Sequence, residues 1–152
     1  MTTVVDNVTS RPSKSEYYLG IAKAVALRST CLRKTYGALI VKDDRVIATG
    51  YNGSARGEEN CCDTGKCWRQ ENNIPAGERY EECVAVHAEQ NAIISAARVD
   101  MIGADLYLAG YSFDIGKDAY YRINAEPCKI CRRMLKNAGI KRYYNQAGWH
   151  DI

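Results

Sequence analysis

The chain has 152 residues, 46% hydrophobic and 26% charged, with 21 Lys and Arg against 18 Asp and Glu for a formal net charge of +3. That length suits one domain with a real core, and so weak and scattered a positive charge argues against duplex nucleic acid while suiting a phosphorylated small molecule. No apolar run approaches the ~20 residues that span a bilayer, and the opening residues do not read as a signal peptide; the expectation is a cytoplasmic protein with no membrane partner.

Residues 1–12 are polar and read as a flexible segment ahead of a single domain over 13–152. "PSKSEYYLGIAKAVALRST" reads as an amphipathic helix, with Ser13 and Glu16 spaced as a capping box and Leu19, Ala22 and Ala26 at helical intervals. "YGALIVKDDRVIATGYN" predicts two strands around an Asp43–Asp44 turn. From Asn52 to Glu82 apolar periodicity fades among Gly, Asn, Asp and Cys, and a loop this long is functional or pinned by something. Helix returns over Val86–Val99, "GADLYLAG" is a short buried strand, and "YSFDIGKDAYYRIN" suggests a further hairpin turning near Ile115–Lys117. "PCKICRRMLKNAGI" predicts a last helix, with Pro127 before its first turn and Gly139 as its stop, followed by the strand "KRYYN". This order predicts a mixed sheet flanked by helices, an α/β layer architecture.

Seven cysteines are many for a reducing compartment, and an odd number excludes complete internal pairing, so metal or catalysis is the better reading. Cys128 and Cys131, three apart on a helix, share one face and can grip one ion; a helix N-terminus also favours their thiolates. His87 opens the other helix. Two thiolates and a neutral imidazole give zinc three ligands and leave a fourth position open, which distinguishes catalytic from structural zinc. Zinc lowers the pKa of a bound water from ~16 to about 7. Glu89, two residues from His87, is then placed as the catalytic acid–base group, taking that proton and passing it to a ring nitrogen and a leaving amine. Alone, the C-x-x-C could be a redox pair and the His-x-Glu a helix cap. Their conjunction on one small chain, each opening a helix, argues against both.

The pattern H-A-E, 37 residues, then P-C-x-x-C is similar to that of zinc-dependent nucleobase deaminases. "YYLGIAKAVALRSTCLRKTYGALIVKDDRVIATGYNGSARG", "CVAVHAEQNAII" and "EPCKICRRMLKNAGIKR" narrow the resemblance to deoxycytidylate (dCMP) deaminases of the cytidine deaminase superfamily, from about Tyr17 to Tyr143. The resemblance implies a three-layer αβα sandwich on a central mixed sheet of about five strands, usually assembled as a hexamer. It implies hydrolysis of dCMP to dUMP and ammonia in pyrimidine metabolism, supplying dTTP precursors. Activation by dCTP with Mg²⁺ and inhibition by dTTP come with it. By similarity Asn52 bonds the sugar, Arg33 and Arg56 are candidates for the phosphate, and Ala88 and Pro127, inside the two motifs, complete the substrate-binding set. Asn52-Gly53 as a tight turn, and ordinary solvated arginines, are the competing readings.

Three departures stand out. Ala55 replaces a Pro common in regulated members, Glu126 replaces a common Ser as in tRNA adenosine and guanine deaminases, and residues 113–124 lengthen the link to the last helix. A deaminase of cytidine, guanine or tRNA adenosine, or a non-enzymatic zinc or redox protein, are the alternative functions; the weak net charge argues against tRNA. The stretch at about 54–83 resembles a Cys-rich insertion of bacterial and phage relatives, some with a second zinc. Cys61, Cys62, Cys67 and Cys83 are its expected ligands, four thiolates closing a tetrahedral structural site. Binding by the adjacent Cys61 and Cys62 together is awkward, which leaves the fourth ligand open, and Cys31 reads as a small buried residue.

Overall fold

A computed structural model of the chain describes residues 10–152. The flexible segment expected over 1–12 falls, for residues 1–9, outside the described residues.

Helix α1 (Lys14–Ala26) starts on the anticipated capping box: Ser13 Oγ accepts from the Glu16 N–H and the Glu16 carboxylate accepts from the Ser13 N–H. Its buried face is Tyr18, Leu19, Ala22 and Ala26. Strands β1 (Lys34–Lys42) and β2 (Arg45–Tyr51) form the expected antiparallel hairpin, with both Asp43 and Asp44 at positive φ, as a two-residue turn of right-handed twist requires. Two short strands, β3 (Gly53–Ser54) and β4 (Ala85–Val86), pair with each other and close the long loop at its base. Between them lie helices α2 (Cys61–Thr64) and α3 (Trp68–Glu71) and a 3₁₀ turn at Tyr80–Glu82.

The helix expected over 86–99 is split. Helix α4 covers Ala88–Ile94, the chain bends, and α5 (Arg98–Met101) restarts on a new axis. Ser95 makes the break, its hydroxyl turning back to the Asn91 carbonyl, and the new axis buries Met101 while Ile94 and Val99 stay exposed. Strand β5 (Asp105–Asp114) runs on past the predicted "GADLYLAG" and pairs with β6 (Ala119–Ile123) across the anticipated turn. Helix α6 (Lys129–Ala138) ends at Gly139, whose φ of 92° closes it. Strand β7 (Arg142–Asn145) is followed by β8 (Gly148–Asp151), a hairpin the sequence reading did not include.

The sheet order is β2-β1-β5-β7-β8, with β6 also on β5; β5 and β7 are parallel and the other pairs antiparallel. Alternation along the central strands makes three layers. Leu39, Val41, Tyr107 and Ala109 pack on α1, whereas Ala38, Ile40, Leu106 and Leu108 face α4 and α6. Two glycines let the helices lie close: a Cβ on Gly37 would meet Ala22 O at 2.1 Å, and one on Gly50 would meet Ala88 O at 2.3 Å. The three-layer αβα sandwich expected from the resemblance is therefore the observed fold.

Candidate active site

His87 is the N-cap of α4 and Cys128 the N-cap of α6, so the packing of these two helices on one sheet face brings the motifs together. The His87 backbone N–H donates to Gln90 Oε1 at 2.8 Å. Cys128 Sγ accepts from the Cys131 N–H at 3.4 Å, which orients the first thiol. His87 Nδ1 lies 3.6 Å from Cys128 Sγ and 3.4 Å from Cys131 Sγ. An ion bonded at ~2.3 Å to sulfur and ~2.0 Å to nitrogen in tetrahedral geometry sets nitrogen and sulfur about 3.6 Å apart, so the donor set fits zinc. Among the described residues this is the one trio of His, Cys or carboxylate groups with its donor atoms within 4.8 Å of one another.

Charge in the site follows from contact and burial. Cys131 donates to Cys128, and with His87 this holds the Cys128 thiol down at about 4 while the Cys131 thiol is pushed well above the ordinary range. The bond to Cys128 raises His87. Glu89 is 5% exposed, and burial raises its carboxyl above the usual range. Its side chain borders a cavity shared with His87 and Cys128.

That cavity is also lined by Asn52 and Arg33, but the other predicted substrate residues stand elsewhere. Arg56 is exposed in the turn after β3, and Ala88 and Pro127 are buried beside the ligands without forming the cavity wall. Asn52 is no tight turn, since neither it nor Gly53 has positive φ. Its amide is anchored on β1, Oδ1 accepting from the Tyr36 N–H at 2.7 Å and Nδ2 donating to Lys34 O at 2.9 Å. One lone pair and one N–H remain for a ligand.

The Cys-rich loop forms part of the same wall, although not with the expected four thiols. Cys62 is exposed, its thiol nearest Asp63, whereas Cys31, Cys61, Cys67 and Cys83 all border the cavity. Burial pushes Cys31 up to about 12, and the neighbouring Cys61, Cys83 and Cys67 add to this. The loop is stitched to the residue before Cys31 by the Cys62 N–H, which donates to Thr30 O at 3.0 Å.

Three further residues escaped the sequence reading. Tyr36 borders the cavity, its phenol pushed up to about 12 by burial and by Glu89. Arg69 is buried in the loop, donating from Nη1 to Glu78 O at 2.7 Å and from Nη2 to Pro75 O at 2.6 Å. Its guanidinium lies 4.8 Å from the centre of the Tyr80 ring, which meets the His87 imidazole edge-on at 4.9 Å. The chain thus braces its histidine ligand through a stack assembled from the insertion.

The profile of the family described as "Cytidine and deoxycytidylate deaminase zinc-binding region" matches residues 12–147. The chain belongs to this family. Among relatives of this deaminase family, the deoxycytidylate deaminase of Mycobacterium phage D29 is 40% identical over 137 residues, 88% of this chain and 94% of that protein. The deoxycytidylate deaminase of Schizosaccharomyces pombe is 34% identical over 131 residues, 86% of this chain but 36% of the yeast protein. A crystal structure of dCMP deaminase from the cyanophage S-TIM5 in complex with dCMP and dUMP superposes with a TM-score of 0.60 at 26% identity, covering 88% of this chain and 81% of that one.

Proposed function

We propose that the chain is a zinc-dependent hydrolase converting dCMP to dUMP and ammonia. The observation that carries this is the meeting of His87, Cys128 and Cys131 with a buried glutamate at one cavity, in a member of a zinc-binding deaminase family. His87 Nδ1 and the Sγ atoms of Cys128 and Cys131 would hold the ion. Zinc, when bound, supplies the Lewis acidity that makes a water acidic near neutral pH.

In the reaction a C4–O bond forms from water, the C4–N bond breaks and ammonia leaves. Glu89 takes one proton from the water and delivers it to the ring nitrogen, then takes the second from the hydroxyl formed on C4 and delivers it to the departing amine, ending as it began. Burial suits it to this work by bringing its proton affinity closer to neutral pH. Asn52 offers its free lone pair and N–H to the sugar, and Arg33 its guanidinium to the phosphate.

The finer features of the reading are also proposals. A second, structural zinc in the insertion would take Cys31, Cys61, Cys67 and Cys83, which border one cavity, with Cys31 in the place expected for Cys62. No three of these thiols lie within 4.8 Å of one another, so they would have to close around the ion. The subunits assemble as a hexamer through apolar surface that includes the exposed Tyr51 and Ile94. dCTP with Mg²⁺ acts as effector, and the seven free cysteines suit a reducing cytoplasm. No helix among the described residues is long and apolar enough to cross a membrane.

The test is ammonia release from dCMP, deoxycytidine, cytidine, cytosine, adenosine and guanine, with and without dCTP and Mg²⁺. dCMP should react far faster than deoxycytidine. Equal rates on the two would exclude a phosphate-reading site, and preference for a purine would overturn the assignment.

A further inference from the structure

The ligand Cys128 is carried on chain with no regular structure of its own: residues 124–128 link β6 to α6 without helix or strand. A catalytic metal needs its ligands held, and two side chains from outside this link hold its backbone. Asn145, 1% exposed at the end of β7, donates from Nδ2 to Ala125 O at 2.9 Å. Arg132 on α6 donates from Nε to Pro127 O at 3.1 Å. The two carbonyls bracket Glu126, and Cys128 follows directly.

The Asn145 amide can adopt only one orientation. The Ala147 N–H can only donate and lies 2.9 Å from Oδ1, whereas the Ala125 carbonyl can only accept. His150 Nε2, 2.9 Å from the same Oδ1, must therefore carry a hydrogen and donate it. The His150 ring stacks on Tyr143 at 4.9 Å and 24°, and the Arg132 guanidinium lies 5.7 Å from the centre of the same tyrosine ring. Asn145, His150, Tyr143 and Arg132 thus form one connected clamp reaching from the final hairpin to the zinc helix.

We infer that Asn145, oriented by His150, is a positioning residue that fixes the 125–128 backbone so that Cys128 meets His87. The inference rests on the zinc-deaminase reading. It assigns the second histidine and the final hairpin a role that neither the H-x-E nor the P-C-x-x-C motif contains. Residues one shell out from a metal ligand typically govern metal affinity by 10–100-fold.

The experiment compares zinc-loaded wild-type protein with Asn145→Ala and Asn145→Asp, measuring the rate of zinc transfer to a chelator, the kcat and KM for dCMP, and the melting temperature of the metal-free proteins. Asn145→Asp keeps the acceptor for Ala147 and His150 but loses the donor to Ala125. Both variants should release zinc about tenfold faster or more, and kcat should fall by a similar factor with KM changed by less than about threefold. A general loss of stability would not produce that division at temperatures well below melting. His150→Leu should also speed zinc release, and His150→Gln, which keeps an N–H donor at nearly the same reach, should restore the wild-type rate. Should the Asn145 variants fail to fold, the His150 pair decides: equal release from His150→Leu and wild type overturns the clamp. Wild-type protein that takes up no zinc overturns the deaminase reading and the clamp with it. Zinc held equally tightly by every folded variant overturns the clamp alone.

Discussion

Glu89 is an acid kept away from water and aimed into a cavity, an arrangement that costs stability until a metal and a substrate compensate it. Replacing it with Gln should leave the zinc content unchanged and lower dCMP turnover by about 10²–10⁴-fold; near-normal turnover would remove Glu89 from the mechanism. The same burial has a pH signature in the metal-free protein. Its carboxyl titrates above the ordinary 4.5 when folded, so wild-type stability is lost as pH rises from the unfolded value through the folded one. Glu89→Gln has no such loss. Urea unfolding of the metal-free proteins should show similar stability at pH 4 and an advantage of roughly 1–3 kcal/mol for the variant at pH 8, and an equal gap at both values would contradict this. His87, Glu89, Cys128 and Cys131 were legible in the sequence because each follows from local spacing. Cys31, Tyr36 and the Arg69–Tyr80–His87 stack were not, because nothing local says which loop residue returns to which wall.

At the scale of elements, capping and turn chemistry gave the first helix and hairpin correctly, since the Ser13–Glu16 box and the Asp43–Asp44 turn are satisfied within a few residues. The break at Ser95 and the β7–β8 hairpin were missed. Both depend on what the sheet offers for burial, Met101 in one case and the pairing of Tyr143 with His150 in the other. The seating of α4 gives a sharper test. A Cβ on Gly50 would press on Ala88 O and on Ala92 N, 2.3 and 2.4 Å away, and backbone cannot step aside as a side chain can. Gly50→Ala should cost about 1–3 kcal/mol and displace the helix that His87 caps, weakening zinc binding as well. Gly37→Ala makes the same kind of clash with α1, at Ala22 O, and should cost stability while leaving zinc affinity near that of wild type. Thermal melts paired with chelator competition distinguish the two; identical zinc affinity in both variants would show that the seating of α4 does not matter to the metal.

Across the whole molecule, the sheet positions two helix starts at one cavity, and the insertion shares the rest of its wall with Cys31, Arg33, Tyr36 and Asn52. A mixed sheet flanked by helices was legible from the order of elements and its three layers from the family resemblance, whereas the cysteines that share the cavity wall were not, because Cys31 is thirty residues from Cys61 in the chain. Cys67→Ser should lower bound zinc by one equivalent per chain and reduce stability while the His87 set stays filled; unchanged metal content would argue against a second site. The central claim is tested most directly by ammonia release from dCMP as zinc is stripped by a chelator and then titrated back. Turnover should vanish with the metal and return in proportion to the zinc bound by His87, Cys128 and Cys131. Steady turnover by the fully metal-free protein would contradict the account.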